Sequence, residues 1–131
     1  MPGGSIKTAA VDASFILAYL LPDEKTPDEK IFVEHNAGKI QFISTYLLPF
    51  EVLNSLKFAL KQKRISKFLV NGLVEKFFDL GIELLPVEFE AVFALAEKKN
   101  LTIYDAGYLW LAKSKRIKLK TLDQQLKKFA A

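Results

Sequence analysis

Residues 6–21 read IKTAAVDASFILAYLL, and this stretch decides the fold. Ile6 to Val11 is short, apolar and partly β-branched, which predicts a buried strand. Ser14 to Leu21 is predicted helical, broken off by Pro22 and Pro27. Between the two stands Asp12, the only Asp, Glu, Lys or Arg between Lys7 and Asp23. A carboxylate is costly to bury without a partner, and ordinary strands and helices keep such residues on their wet faces.

The same isolation recurs three times. Glu51 lies in LLPFEVLN, alone between Lys39 and Lys57; Asp105 lies in LTIYDAGYLWL, alone between Lys99 and Lys113. Asp123 follows Thr121 and Leu122, with Lys120 and Lys127 its nearest charges. Four isolated acids in one small chain imply a shared compensating partner, and a divalent cation is the simplest.

Working outward, Asp28 to Ala37 is predicted helical and closed by Asn36 and Gly38. Ile40 to Ser44 reads as a second strand. Tyr46 to Lys61 reads as an apolar helix with Pro49 in its first turn. Ser66 opens another helix, which Gly81 closes. Ile82 to Leu85 is a third strand, Glu88 to Lys99 and Thr102 to Lys113 are helices, Ile117 to Leu122 is the last strand, and Asp123 to Phe129 a terminal helix. This alternation predicts an α/β fold with a parallel sheet in one domain, residues 1–131, behind a flexible lead-in at 1–5.

In open parallel sheets, ligands bind outside the carboxyl ends of the strands. Asp12 and Asp123 each follow a predicted strand; Glu51 and Asp105 sit in the first turns of helices that start near the same edge. The four acids are therefore expected to converge. Ser14 and Thr121 bring hydroxyls close to Asp12 and Asp123. Asn54 and Tyr108 share helix faces with Glu51 and Asp105 at i+3.

Composition narrows the chemistry. Half of the 131 residues are hydrophobic and 26% are charged, a globular balance. The absence of cysteine excludes disulfides and thiolate metal sites and points to a reducing cytoplasm. No segment approaches the roughly 20 apolar residues that cross a bilayer, and no signal peptide is expected. With no cysteine and His35 remote in sequence, the all-oxygen set favours one or two hard divalent cations over zinc. The net charge is +4, and a basic body around an acidic pocket suits a metal-dependent enzyme that acts on a polyanion. Two basic stretches, represented by Lys57, Lys61 and Arg64 and by Lys113, Lys115 and Arg116, are the candidate contacts for the backbone of that polyanion.

Each acid also has a plainer reading. Asp12 and Asp123 suit helix N-caps, Thr102 with Asp105 fits a capping box, and Glu51 favours the positive end of its helix. His35 is read as a surface residue. Phe68, Leu69, Phe77 and Phe78 are read as core in preference to a homodimer face.

The motifs VDAS at 11–14, EVLN at 51–54, YDAGY at 104–108 and TLD at 121–123, in this order, resemble the PIN domain family, specifically the toxin ribonucleases of VapBC toxin–antitoxin pairs. The resemblance spans nearly the whole chain. It implies a three-layer α/β/α sandwich around a mostly parallel sheet of four to five short strands. It also implies that Asp12, Glu51, Asp105 and Asp123 bind Mg²⁺ or Mn²⁺ and cleave RNA, with Asn54 and Thr121 at supporting positions. A cognate antitoxin whose tail blocks the site, and a homodimer, belong to the same picture. The chain departs from the pattern at Gly107, where a small Ala or Ser is usual, and at Ala131, where many relatives continue into a further strand. Two rival functions are a non-catalytic PIN-fold module that docks RNA or protein, and a phosphoacceptor receiver domain. The receiver needs a second acid beside the first, whereas Val11 and Ala13 flank Asp12.

Overall fold

The computed structural model describes residues 6–26 and 28–130. The expected lead-in at 1–5, the helix-breaking role of Pro27 and the chain end at Ala131 lie outside the described residues. Eleven elements follow one another among the rest. They are β1 (Lys7–Val11), α1 (Ala13–Leu20), α2 (Glu29–Asn36), β2 (Ile40–Thr45), α3 (Leu48–Lys61) and α4 (Lys67–Asp79). Then come β3 (Glu83–Leu85), α5 (Phe89–Lys99), α6 (Ile103–Lys115), β4 (Leu119–Lys120) and α7 (Gln124–Lys127).

The four strands form one sheet in the order β3-β2-β1-β4, and every pairing is parallel. From β1 the chain steps outward to β2 and β3 through α1–α4. It then crosses back over α5 and α6 to lay β4 on the far side of β1. Crossovers between parallel strands are right-handed, so these opposite directions put α1–α4 on one face and α5–α6 on the other. Contacts among α1, α3 and α4, and between α5 and α6, agree with that division. The result is a three-layer α/β/α sandwich whose direction reverses between β1 and β4, and such a reversal opens a crevice at the carboxyl ends of the strands.

Val11, Phe42, Ile16, Leu48, Leu56, Leu109 and Leu126 are sealed in the core. Val11 also accepts a hydrogen bond on its carbonyl from the buried Ser44 hydroxyl at 2.6 Å, which ties β1 to β2. His35 is not the wet surface residue its polar neighbours suggest. Its ring stacks on Phe42 at 4.3 Å, and its two nitrogens face the carbonyl oxygens of Ile40 and Leu80. It pins α2 against β2 and the end of α4.

The Phe68 group also reads differently in three dimensions. Phe77 is buried, but Phe68 is 91% exposed and Leu69 and Phe78 about half so. Successive helical residues turn about 100°, so positions 68, 69, 77 and 78 point in four directions and make no single stripe. The expected last strand is shorter than Ile117–Leu122 for a local reason. Arg116 takes a left-handed conformation (φ 57°) that caps α6, and the Ile117 N–H turns back to the Ala112 carbonyl at 3.0 Å. Among the described residues, no helix is long and apolar enough to cross a membrane.

Candidate active site

Asp12 closes β1 and opens α1. Its backbone N–H reaches the Lys120 carbonyl of β4 at 3.3 Å, so the residue sits at the reversal point of the sheet. The side chain is only 3% exposed and fully engaged. Oδ1 accepts from the Phe15 N–H at 3.0 Å and from the Ser14 hydroxyl at 2.7 Å; Oδ2 accepts from the Thr121 hydroxyl. Ser14 in turn accepts from the Leu122 N–H at 2.9 Å, and Thr121 from the Asp123 N–H at 3.0 Å. Two hydroxyls therefore stitch the β1–α1 corner to the segment that follows β4.

Asp123 caps α7 through the Leu126 N–H at 2.8 Å. Thr102 caps α6 through the Asp105 N–H at 3.1 Å and places Asp105 in the first turn. Thr45 accepts from the Leu47 N–H at 3.2 Å, which holds Tyr46 and Leu47 in a turn and starts α3 at Leu48, two residues later than expected. Glu51 then lies in the first turn of α3, where Tyr108, a core residue of α6, donates to its Oε1 at 2.6 Å. The helix-capping readings of Asp12 and Asp123 are realised, and the two residues join the cluster as well.

The acids feel one another. Burial raises the Asp12 carboxyl above its ordinary range, the Thr121 and Ser14 hydroxyls and the Phe15 N–H pull it back, and the charge of Asp123 pushes it up again. Burial raises Glu51, Tyr108 opposes, and Asp105 and Asp12 add repulsion. Burial raises Asp105, with repulsion from Asp123 and Asp12. The Tyr108 phenol is pushed far upward by burial and by its bond to Glu51, so it stays a donor. No lysine, arginine or histidine enters these interactions.

A hard divalent ion fits the donor chemistry. All four residues offer carboxylate oxygens, and Glu51 Oε2 and Asp123 Oδ2 accept no hydrogen bond from the protein among the described residues. Among the described residues, no three acidic or histidine side chains stand close enough together to grip one ion as placed.

Other expected site residues fare unevenly. Ser14 and Thr121 are where the sequence put them. Tyr108 serves Glu51 across the helix pair, whereas its sequence spacing pointed to Asp105. Asn54 is exposed and hydrogen-bonds none of the four acids among the described residues. Arg64 is held by Asp23 at 2.9 Å and by Glu24 at 3.2 Å, so its charge is already met. Lys113, Lys115 and Arg116 close the far end of α6, at least ~12 Å along the axis from Asp105 at 1.5 Å per residue. Lys57 and Lys61 likewise lie beyond the first turns of α3.

These couplings fix the sign of a pH effect. A carboxyl raised in the folded state favours folding fully below its unfolded value, near pH 4, and loses that contribution as pH climbs through the raised value. Asp12, Glu51 and Asp105 all act this way. Asp23, lowered by its hydrogen bonds to Arg64, acts oppositely, but exposed pairs contribute little. Without divalent ions, the thermal midpoint should therefore fall as pH rises from about 4 towards 7. A melt series in EDTA that is flat or rising across that interval contradicts the assignment.

A three-layer parallel α/β/α fold of this size, with acids gathered at the reversal point, defines a PIN-type domain. The fold is shared with a solved structure: the crystal structure of PAE2754 from Pyrobaculum aerophilum superposes with a TM-score of 0.76 over 99% of this chain and 84% of that one, at 22% identity. Among curated proteins, Ribonuclease VapC3 of Pyrobaculum aerophilum is 35% identical over 128 residues, 92% of this chain and 94% of that protein. No family model matches the chain. The chain belongs to the VapC-type PIN-domain family.

Proposed function

We propose that this chain is a Mg²⁺- or Mn²⁺-dependent endoribonuclease that hydrolyses RNA phosphodiester bonds, the toxin half of a type II toxin–antitoxin pair. The observation that carries this reading is the set of mutually repelling carboxylates at the sheet's reversal point, with no cation among them from the described residues. The name of the relative, a ribonuclease, supports the reaction class.

Asp12, Glu51, Asp105 and Asp123 would hold the metal, which when bound polarises the phosphodiester, lowers the pKa of a water and stabilises the leaving oxygen. The protein's own groups do the positioning. Ser14 and Thr121 fix the Asp12 carboxylate from both sides. Tyr108 occupies Glu51 Oε1 and leaves Oε2 to hold the metal or to direct the attacking water. The products are a 5′-phosphate and a 3′-hydroxyl.

The partner is an antitoxin that covers the site, and the chain pairs with a second copy. Exposed Tyr46, Phe50, Phe89 and Phe93 supply apolar surface for such contacts. The locale is the cytoplasm.

The direct test is cleavage of single-stranded RNA with Mn²⁺, with end-group analysis of the products. Removing the hydroxyl in Tyr108→Phe should lower kcat about tenfold, the value of one hydrogen bond to a charged group at roughly 1.5 kcal/mol. KM should change little. A Tyr108→Phe enzyme with unchanged kcat removes Tyr108 from the machinery.

A further inference from the structure

We infer that the open side of β4 carries a basic groove that holds the phosphate backbone of single-stranded RNA and leads it to the carboxylates. This rests on the ribonuclease reading above. One hollow is lined by Thr121, Leu122, Lys120 and Lys127; a second by Lys7, Thr8, Lys30, Arg116 and Lys118. They share Asp28 and Lys120, so the two hollows adjoin. The first hollow reaches Thr121, the residue that donates to Asp12, and the second reaches Arg116, before the start of β4.

Six cations face this groove: Lys7, Lys30, Arg116, Lys118, Lys120 and Lys127. Among the described residues the only ion pairs are those of Arg64, so none of the six is neutralised by a neighbour. The acids present are Asp28 and Glu34, and the Asp28 carboxylate already caps α2 at the Ile31 N–H, 3.2 Å away. The six come from β1, α2, the α6–β4 turn, β4 and α7, so no single helix face or charge run accounts for them.

The backbone adds to the argument. The N–H groups of Ala10 and Asp12 point to Lys118 and Lys120. By strand alternation the Thr8 N–H points the same way, at a level where β4 has not yet begun. Lysines on an edge strand also deter pairing with other chains, but that role asks nothing of Lys7, Lys30 or Lys127. A row of cations beside the Thr8 N–H, ending at a phosphodiester-cutting site, is suited to a polyanionic strand.

The test uses Asp12→Asn protein, which binds RNA without cutting it, and a labelled oligouridylate titrated at several salt concentrations. Adding Lys30→Gln and Lys118→Gln should weaken binding about tenfold and reduce the slope of log affinity against log salt by about 1.4, from ~0.7 per phosphate contact on a single strand. Lys127→Gln alone should reduce it by about half as much. The matched pair Lys25→Gln and Lys98→Gln, outside the groove, should change neither. Equal affinity and slope in the groove variants and this pair would overturn the proposal. So would unchanged RNA binding with lost binding of polyglutamate, which would give the groove to an acidic protein segment. Metal-dependent cleavage by the unmodified protein, assayed in parallel, separates the two readings: its absence sinks the nuclease, its presence with intact groove-variant binding sinks the groove alone.

Discussion

Asp12→Asn should abolish RNA cleavage and leave the fold as stable as before, or more so. The activity loss is expected to reach about 10³-fold, equivalent to roughly 4 kcal/mol of lost transition-state stabilisation, because the charge nearest the sheet's reversal point disappears. The stability side follows from the hydrogen bonds. The Asn Oδ1 can still accept from the Phe15 N–H and the Ser14 hydroxyl. Its Nδ2 can donate to the Thr121 oxygen, provided the Thr121 hydroxyl swings to the Ser14 oxygen 3.4 Å away. Every donor that served Asp12 keeps an acceptor and one Nδ2 hydrogen is left unpaired, while a buried negative charge that repels Asp123, Glu51 and Asp105 is gone. Asp12→Ala provides the contrast. It removes the same charge together with the α1 cap, at about 1 kcal/mol, and should melt below Asp12→Asn. Thermal melts and RNA cleavage measured on both variants check this. An Asp12→Asn protein that unfolds, or that cuts RNA at the normal rate, would make Asp12 a structural cap with no part in chemistry.

The β1–α1 corner was the most legible part of the sequence because two signals coincide there: a switch from strand to helix period, and a lone acid at the switch. The same logic placed Asp123 after β4 and Glu51 and Asp105 in first turns, and the structure couples all four electrostatically. What sequence spacing could not give is contact between distant elements. Tyr108 lies three residues from Asp105, a spacing that signals a shared face on one helix, yet its hydroxyl crosses to Glu51 on α3. Only the fold, which brings Tyr108 of α6 to Glu51 of α3 at the end of the sheet, reveals that. The basic residues show the converse. Lys113 and Lys115 are dense in sequence but finish a helix that points away from the acids, and Arg64 answers to Asp23 and Glu24. Lys7 and Lys30 lie far in sequence from Arg116, Lys118, Lys120 and Lys127 and join them only once β4 lies beside β1. His35 was misread for the same reason: its neighbours in sequence are polar, but its neighbours in space are Phe42 and two carbonyls.

Removing divalent ions is the second large expected effect, and it acts on activity and stability together. With EDTA, cleavage should fall to background; Mn²⁺ or Mg²⁺ added in excess should restore it, since the carboxylates alone supply neither an electrophile nor an activated water. The same ions should raise the thermal midpoint near pH 7. A ligand that binds only the folded state stabilises by about 2.7 kcal/mol at a hundred times its Kd, roughly 10 °C for a domain of this size. The origin of that gain is specific. Without the ion, Asp12, Glu51 and Asp105 are raised by burial and by repulsion from one another or from Asp123, and a bound cation converts that repulsion to attraction. Protons compete for the same oxygens, so the shift in midpoint should shrink as pH falls towards 4. It should also shrink in Asp12→Asn, which presents one charge fewer to the ion. Chelator-resistant cleavage, or a metal-induced midpoint shift that is the same in Asp12→Asn as in the unaltered chain, would break the link between these carboxylates and the ion.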